Sequence, residues 1–162
     1  RVPDDASPRS LLSLLPLFLV YIVSFQTIGT YWNNHHHLLR ATKRVSPSIM
    51  WANLHLLFWV SLIPFGTEWL GHHVGAIWPS AFFAFVLFMC ALAYFVLTRA
   101  ILWCQEKDAA LVEALGSDTK GRVSLVIDAG AVALAFFMPW ASYLCIILVS
   151  ILWFIPDRRL VK

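Results

Sequence analysis

The sequence predicts an all-α protein, a polytopic transmembrane helical bundle, and three observations lead to this fold class. Of the 162 residues, 60% are hydrophobic and 13% are charged, whereas soluble domains are about 45 to 50% apolar and about 25% charged. The mean hydropathy is +0.74. The apolar residues also form runs about as long as a helix that crosses a bilayer. Eight Trp and twelve Phe without a Gly or Ser tract exclude a disordered chain.

The first three apolar runs each predict one membrane span. The first extends from about Leu11 to Trp32, with Pro16 in its first turns, where a missing N–H costs least. The second extends from about Ile49 to Phe65 and follows Ser46-Pro47-Ser48, which supply a cap and an early proline. The third extends from about Pro79 to Trp103.

The last apolar stretch, from Val123 to Ile155, is too long for one span. Its 33 residues would form a helix of about 50 Å, against a hydrocarbon thickness of about 30 Å. We therefore predict that Met138-Pro139-Trp140 divides it into a fourth and a fifth span. The polar segment from Cys104 to Gly121 predicts a short interfacial helix between the third and fourth spans. Residues 1–162 thus form a single transmembrane domain.

Basic residues are distributed unequally between the two sides of the predicted bundle. If the loop after the first span is cytoplasmic, ten of the twelve Lys and Arg lie on that side and only Arg1 and Arg9 lie opposite. The positive-inside rule then places residue 1 outside and Lys162 in the cytoplasm of a multi-pass cell-membrane protein. Residues 1–10 contain neither a start Met nor a signal-peptide pattern. We therefore expect a sixth, N-terminal helix upstream.

Several classes of function find no support in the sequence. It contains no HExxH, GxSxG, P-loop or GxGxxG motif, so we do not expect an enzyme. The basic residues form no patch interleaved with aromatics, so nucleic acid is not an expected partner. Cys90, Cys104 and Cys145 lie in or at the end of apolar runs without CxxC spacing. They are interpreted as small core residues, and no metal or cofactor is expected.

Polar residues concentrate at the predicted cytoplasmic end of the first span. A stripe of four shares one helix face, because its members are spaced by 3, 4 and 4 residues: Ser24, Thr27, Tyr31 and His35. Trp32 and His36 form a second line. Three consecutive histidines suggest zinc, but neighbouring helical residues diverge by about 100°, which disfavours tetrahedral ligation. The alternative is a set of interfacial side chains at the headgroup level.

The start of the second span lies at the same depth as this end of the first. It carries Trp51, Asn53 and His55, and an amide inside a span requires a partner, either another helix or the backbone and headgroups. We predict a single buried polar cluster of four residues: Trp32, His35, His36 and Asn53.

Two further groups of polar residues leave their roles open. Glu68, His72 and His73 could bind a cation or lie in a solvated loop. Asp128 is the one acid within a predicted span, which makes it a functional candidate. It is predicted near the inner interface, where hydration or pairing with a neighbouring helix is the alternative.

Three stretches resemble the prokaryotic branch of the transmembrane protein 175 family, the lysosomal-type potassium channels. The first is Tyr31-Trp32-Asn33-Asn34-His35-His36. The second combines Trp51-Ala52-Asn53-Leu54 with Leu62-Ile63-Pro64-Phe65-Gly66-Thr67. The third is Phe154-Ile155-Pro156-Asp157-Arg158-Arg159. The resemblance implies six helices per subunit, a homotetramer, and a cation pore lined by the first helix, which this chain lacks.

The resemblance also implies that five residues brace the pore helix: Trp32, His35, His36, Trp51 and Asn53. His37 and His55 depart from the family pattern and receive no role. The expected function is a potassium-permeable leak channel of modest selectivity, with the bilayer, monovalent cations and further copies of the chain as partners. The alternative is a secondary transporter or a non-conducting membrane scaffold. Transporters usually show internal repeats and ionisable groups at the midplane, and neither is evident in the sequence.

Overall fold

A computed structural model describes residues 12, 14–40, 42–105 and 118–154, and these residues form helices and no strand. The helices are α1 (Leu15–Arg40), α2 (Pro47–Ser61), α3 (Ile63–His72), α4 (Ile77–Cys104), α5 (Thr119–Phe137) and α6 (Pro139–Phe154). Three segments are long and apolar enough to cross a membrane, namely α1, α4 and the continuous pair α2–α3. With α2–α3 taken as one helix, the predicted all-α bundle of five helices is confirmed.

The second span is longer than predicted and bends at Leu62. This residue ends α2 and caps α3 with φ −84° and ψ −12°. Pro64 then occupies the first turn of α3, where no intrahelical partner for its missing N–H is required. The proline therefore redirects the helix instead of ending it, and the span continues to His72. The predicted end at Phe65 is wrong.

The first span is also longer than predicted, because α1 continues to Arg40. The predicted end at Trp32 rested on the fall in hydropathy after this residue. The backbone hydrogen bonds of a helix do not depend on side-chain polarity. The segment from Asn33 to His37 is consequently helical, and its side chains point in different directions around the axis.

α4 is the central helix of the bundle and packs against α2, α3, α5 and α6. Small side chains at the contacts allow the backbones to approach closely. On α4 these include the fully buried Cys90 and Ala93, and on α5 they include Ala131 and Ala135. The core divides into two clusters along α4, one centred on Leu97 and the α2 side chains and one centred on Val86 between α3 and α5.

The last long apolar stretch breaks at Met138, as predicted. Met138 leaves helical geometry with φ −150° and ψ 85°, and α6 begins at Pro139. Tyr143, in the first turns of α6, links this end of the bundle to the turn before α4. Its Oη accepts a hydrogen bond from Gly75 N at 3.1 Å. The same oxygen lies 2.5 Å from Ser80 Oγ. Gly75 has φ +83°, a conformation that glycine adopts without strain.

The fourth span begins earlier than predicted, because α5 starts at Thr119 with Asp118 as its N-cap. Asp118 Oδ1 accepts a hydrogen bond from Gly121 N at 2.8 Å. The predicted interfacial helix lies for the most part in residues 106–117, outside the described residues. The same applies to the third family-like stretch after Phe154.

Gly71 tests how closely α1 approaches α3. A Cβ at this position would lie 3.2 Å from Leu17 Cα and closer still to Leu17 Cδ1, so Gly71→Ala forces the two backbones apart. We expect a loss of about 1 to 3 kcal/mol in stability, measured as a lower thermal midpoint in detergent. Gly130→Ala is the matched control, because nothing lies within 4 Å of a Cβ there. An unchanged midpoint for Gly71→Ala would contradict the close approach.

Candidate functional site

Two polar contacts attach α1 to the α2–α3 span. Ser24 Oγ lies 2.5 Å from Thr67 Oγ1 of α3, and His35 Nε2 lies 2.5 Å from Asn53 Oδ1 of α2. Ser24 and His35 are about three helical turns apart and therefore lie on the same face of α1. The polar stripe that the sequence predicts is thus the face that α1 turns toward the rest of the bundle.

The contact between Ser24 and Thr67 is fully buried, and its two hydroxyl protons serve three acceptors. Ser24 Oγ lies 2.9 Å from the carbonyl oxygen of Val20, and Thr67 Oγ1 lies 2.7 Å from that of Ile63. Each hydroxyl has one proton to donate. When one hydroxyl donates across the interface, the other donates to its own helix, so both side chains stay satisfied in an apolar environment.

The contact between His35 and Asn53 lies at the other end of α1. His35 is 7% exposed and Asn53 is half-buried. The amide oxygen carries no proton, so His35 Nε2 is the donor. This bond holds the imidazole with a proton on Nε2 and ties α1 to the first turns of α2. The predicted pairing of these two residues is the part of the cluster that the structure brings together.

The other predicted members of this cluster lie on its outside. Trp32 is 65% exposed and Trp51 is 73% exposed, and His36 is exposed as well. Only one line of side chains on α1 can face α2, and His36 diverges from His35 by about 100°. Within these residues, Trp32 and His36 are therefore not buried with His35 and Asn53, and their place in one cluster stays a prediction.

One side of α1 has almost no neighbours within the chain. In the most apolar part of α1 only 6% of the residues are buried, compared with 56% in α4. The exposed residues recur at intervals of 4, 3, 4, 3 and 4, the spacing of side chains that interlock with a second helix. We call this surface the α1 open face, and it consists of Phe18, Ile22, Phe25, Gly29, Trp32 and His36. Nothing lies within 4 Å of a Cβ built on Gly29.

The remaining histidines form no metal cluster among the described residues. His55 is exposed, and its Nε2 accepts a hydrogen bond from Trp59 Nε1 at 2.8 Å. Glu68, His72 and His73 are exposed side chains around the end of α3.

Comparisons with known proteins place this chain in a family. A family profile described as endosomal/lysosomal potassium channel TMEM175 matches residues 1–64, which include the residues of both α1 contacts except Thr67. A protein of Chryseobacterium sp. (strain P1-3), named as a potassium channel, is 44% identical over all 162 residues, which cover 84% of that relative. The chain belongs to the TMEM175 family.

More distant TMEM175 relatives also carry the name potassium channel. One from Chamaesiphon minutus is 28% identical over 82% of this chain and 68% of its own length. One from Streptomyces collinus is 31% identical over 64% of this chain and 52% of its own length. No solved structure matches the chain. The family resemblance inferred from the motifs is confirmed, and the family is one of potassium channels and not of enzymes.

Asp128 is the acidic residue of a predicted span whose surroundings the sequence left open. It lies at the centre of α5 and is 3% exposed. α5 starts four residues before Val123, at Thr119, because Thr119, Lys120 and Arg122 lower the local hydropathy without preventing a helix. The depth of Asp128 in the bilayer, predicted near the inner interface, stays a prediction.

Asn53 tests the polar attachment of α1 to α2. Asn53→Leu removes the acceptor of the buried His35 and is expected to cost about 1 to 2 kcal/mol of stability, measured by thermal or denaturant unfolding in detergent. Asn33→Leu is the matched control, because Asn33 is exposed on α1. Equal stability of the two variants would show that the contact contributes nothing.

Proposed function

We propose that the chain is a subunit of a homotetrameric cation channel that conducts potassium ions passively, with modest selectivity. The main support is the relative named as a potassium channel, which is 44% identical across the whole chain. Conduction as a leak, with no coupled solute, agrees with a chain whose described helices are apolar on most faces.

The pore of this channel lies between subunits and not within one. Side chains fill the two core clusters along α4, with Leu97, Ile101 and Val86 each 0% exposed. An ion that crosses hydrocarbon without a hydrated path faces a cost of order tens of kcal/mol. Since these clusters interrupt any path along α4, ions pass along a shared axis of four copies. The pore is lined by a helix outside these 162 residues. An apolar constriction in that pore favours the more easily dehydrated cation.

The α1 open face is the surface on which that pore helix packs. Its side chains have the spacing of a helix–helix seam, and Gly29 leaves room at its centre. Trp32, His36 and Trp51 project at the same end as the bond between His35 and Asn53. In this arrangement the buried pair fixes the position of α1, and the three exposed rings contact the pore helix. Together the five residues brace the pore.

The channel lies in the cell membrane with residue 1 outside and Lys162 in the cytoplasm. The distribution of Lys and Arg between loops supports this orientation. Its partners are the lipid bilayer, monovalent cations and three further copies of the chain, and it needs no cofactor.

A secondary transporter is the second candidate, and Asp128 is the observation that favours it. Buried acids within transmembrane helices serve as ion or proton sites in transporters, and Asp128 occupies the centre of α5. Transport by such a mechanism saturates and requires a coupled ion or solute, whereas conduction by a channel does not.

Flux through the full-length protein in liposomes distinguishes the two candidates. We expect potassium ions to leave loaded vesicles down their gradient, faster than sodium ions, without any counter-substrate. Empty liposomes and liposomes with heat-denatured protein serve as controls. Saturating flux that requires a proton gradient or a second solute, and that Asp128→Asn abolishes, would replace the channel with the transporter.

Gly29 tests the role of the α1 open face in assembly. Gly29→Leu adds volume where the pore helix is proposed to pack, so the pore helix should be displaced and the tetramer that it lines should dissociate. The readout is the oligomeric mass of the full-length protein in detergent, measured by light scattering or native mass spectrometry. Gly130→Leu on α5 is the control, since it also meets nothing within 4 Å at its Cβ. Intact tetramers in both variants would exclude the α1 open face as the surface on which the pore helix packs.

A further inference from the structure

A cavity opens inside the subunit between α1, α4, α5 and α6. It contains about 670 Å³ of empty space, part of it open to the surroundings. One part of its wall is aliphatic and includes Leu87, Ala91 and Ile146. Thr27 and Tyr31 of the α1 polar stripe also line it. The two end residues of the stripe, Ser24 and His35, thus attach α1 to the bundle, and the two residues between them face this cavity. No part of the proposed pore uses it.

Asp128 lies in the wall of this cavity. It is 97% buried, given its exposed fraction of 3%, and it makes no hydrogen bond or ion pair with any residue in the described ranges. A carboxylate in an apolar environment is costly unless it takes up a proton or unless a positive charge or hydrogen-bond donors compensate it. A cation that enters the cavity would supply such a compensating charge.

A second carboxylate oxygen in the same cavity is also unsatisfied. Asp118 Oδ1 caps α5 at Gly121 N, but Asp118 Oδ2 is buried and has no hydrogen-bond partner. Asp118 and Asp128 lie about 15 Å apart along α5. The cavity therefore has two acidic side chains at its α5 wall and no described basic side chain among its lining residues.

Aromatic rings line the cavity beside these acids. Tyr31 and Tyr94 meet edge to face with ring centroids 6.3 Å apart, and Tyr94 and Trp153 meet in the same way at 5.9 Å. Aromatic faces attract ammonium groups. Trp153 already does so within the subunit, since Lys120 Nζ lies 4.9 Å from its ring centroid.

We propose that this cavity binds a small organic cation, an ammonium group on a compact apolar body, with Asp128 as its counter-ion. The aliphatic wall and the aromatic rings hold the apolar body, and the carboxylate holds the ammonium group. A divalent metal ion fits less well, because no group of three His, Cys, Asp or Glu suited to a metal occurs in the described part of the chain. The proposal concerns binding and does not depend on conduction.

Benzylammonium is the probe, and benzyl alcohol is its uncharged counterpart of similar shape. Titration calorimetry or ligand-observed NMR on the full-length protein in detergent should show that benzylammonium binds at least tenfold more tightly than benzyl alcohol. Asp128→Asn should remove this preference by weakening benzylammonium at least tenfold. Glu68→Gln is the matched control, because it removes one exposed acid from α3, outside the cavity, and should leave the affinity unchanged.

Ala91→Leu provides a second variant that keeps the carboxylate and fills part of the cavity. It should weaken both benzylammonium and benzyl alcohol, which separates occupancy of the cavity from attraction to surface charge. Thermal midpoints show that each variant is folded. If Asp128→Asn does not fold, the affinities of the two probes for the unmodified protein and for Ala91→Leu decide whether the cavity binds the cation. No binding to the unmodified protein, equal binding of both probes, or undiminished binding to Ala91→Leu would each overturn the proposal.

Discussion

The constraint on which this structure depends is that apolar burial distinguishes poorly between a neighbouring helix and lipid. Where most faces of the described helices are apolar, polar side chains that need partners decide which face turns inward. The contacts of Ser24 with Thr67 and of His35 with Asn53 do this for α1. On α6, Trp153 Nε1 donates to Ser124 Oγ of α5 at 2.7 Å, and Tyr143 does the same for the turn before α4. A few polar groups thus define how each helix is rotated about its own axis, because the remaining helix surface is apolar.

Within this frame, small residues determine how closely the helices pack. Ala131 and Ala135 bring α5 against α4, and Gly66 brings α3 to within 3.1 Å of Phe83 Cδ2, measured from a Cβ built on the glycine. Dispersion at such contacts replaces the hydrophobic driving force that a soluble core would have. The result is a densely packed centre around α4 and a sparsely packed α1.

Much of the fold was predictable from the sequence, because span length and apolar content are set by the bilayer. The break before Pro139 followed from length alone. The ends of α1, α2–α3 and α5 did not follow, since hydropathy reports the membrane boundary while hydrogen bonding of the backbone sets the helix boundary. At the candidate site, depth matching grouped Trp32, His35, His36 and Asn53, and within these residues only His35 and Asn53 meet. The reason is that depth carries no information about rotation around the helix axis.

The bend at Leu62 separates the two points at which α1 is held. Asn53 lies on α2, before the bend, and Thr67 lies on α3, after it. α1 is therefore held on both sides of the bend. Pro64 has no N–H with which to link the first turn of α3 back to α2, which makes this point the compliant part of the span. A change in the angle between α2 and α3 would therefore tilt α1 as a rigid body. The exposed rings near its C-terminal end would move furthest. Motion that starts on the side of α3 would in this way reach Trp32 and His36 without any rearrangement of the core around α4.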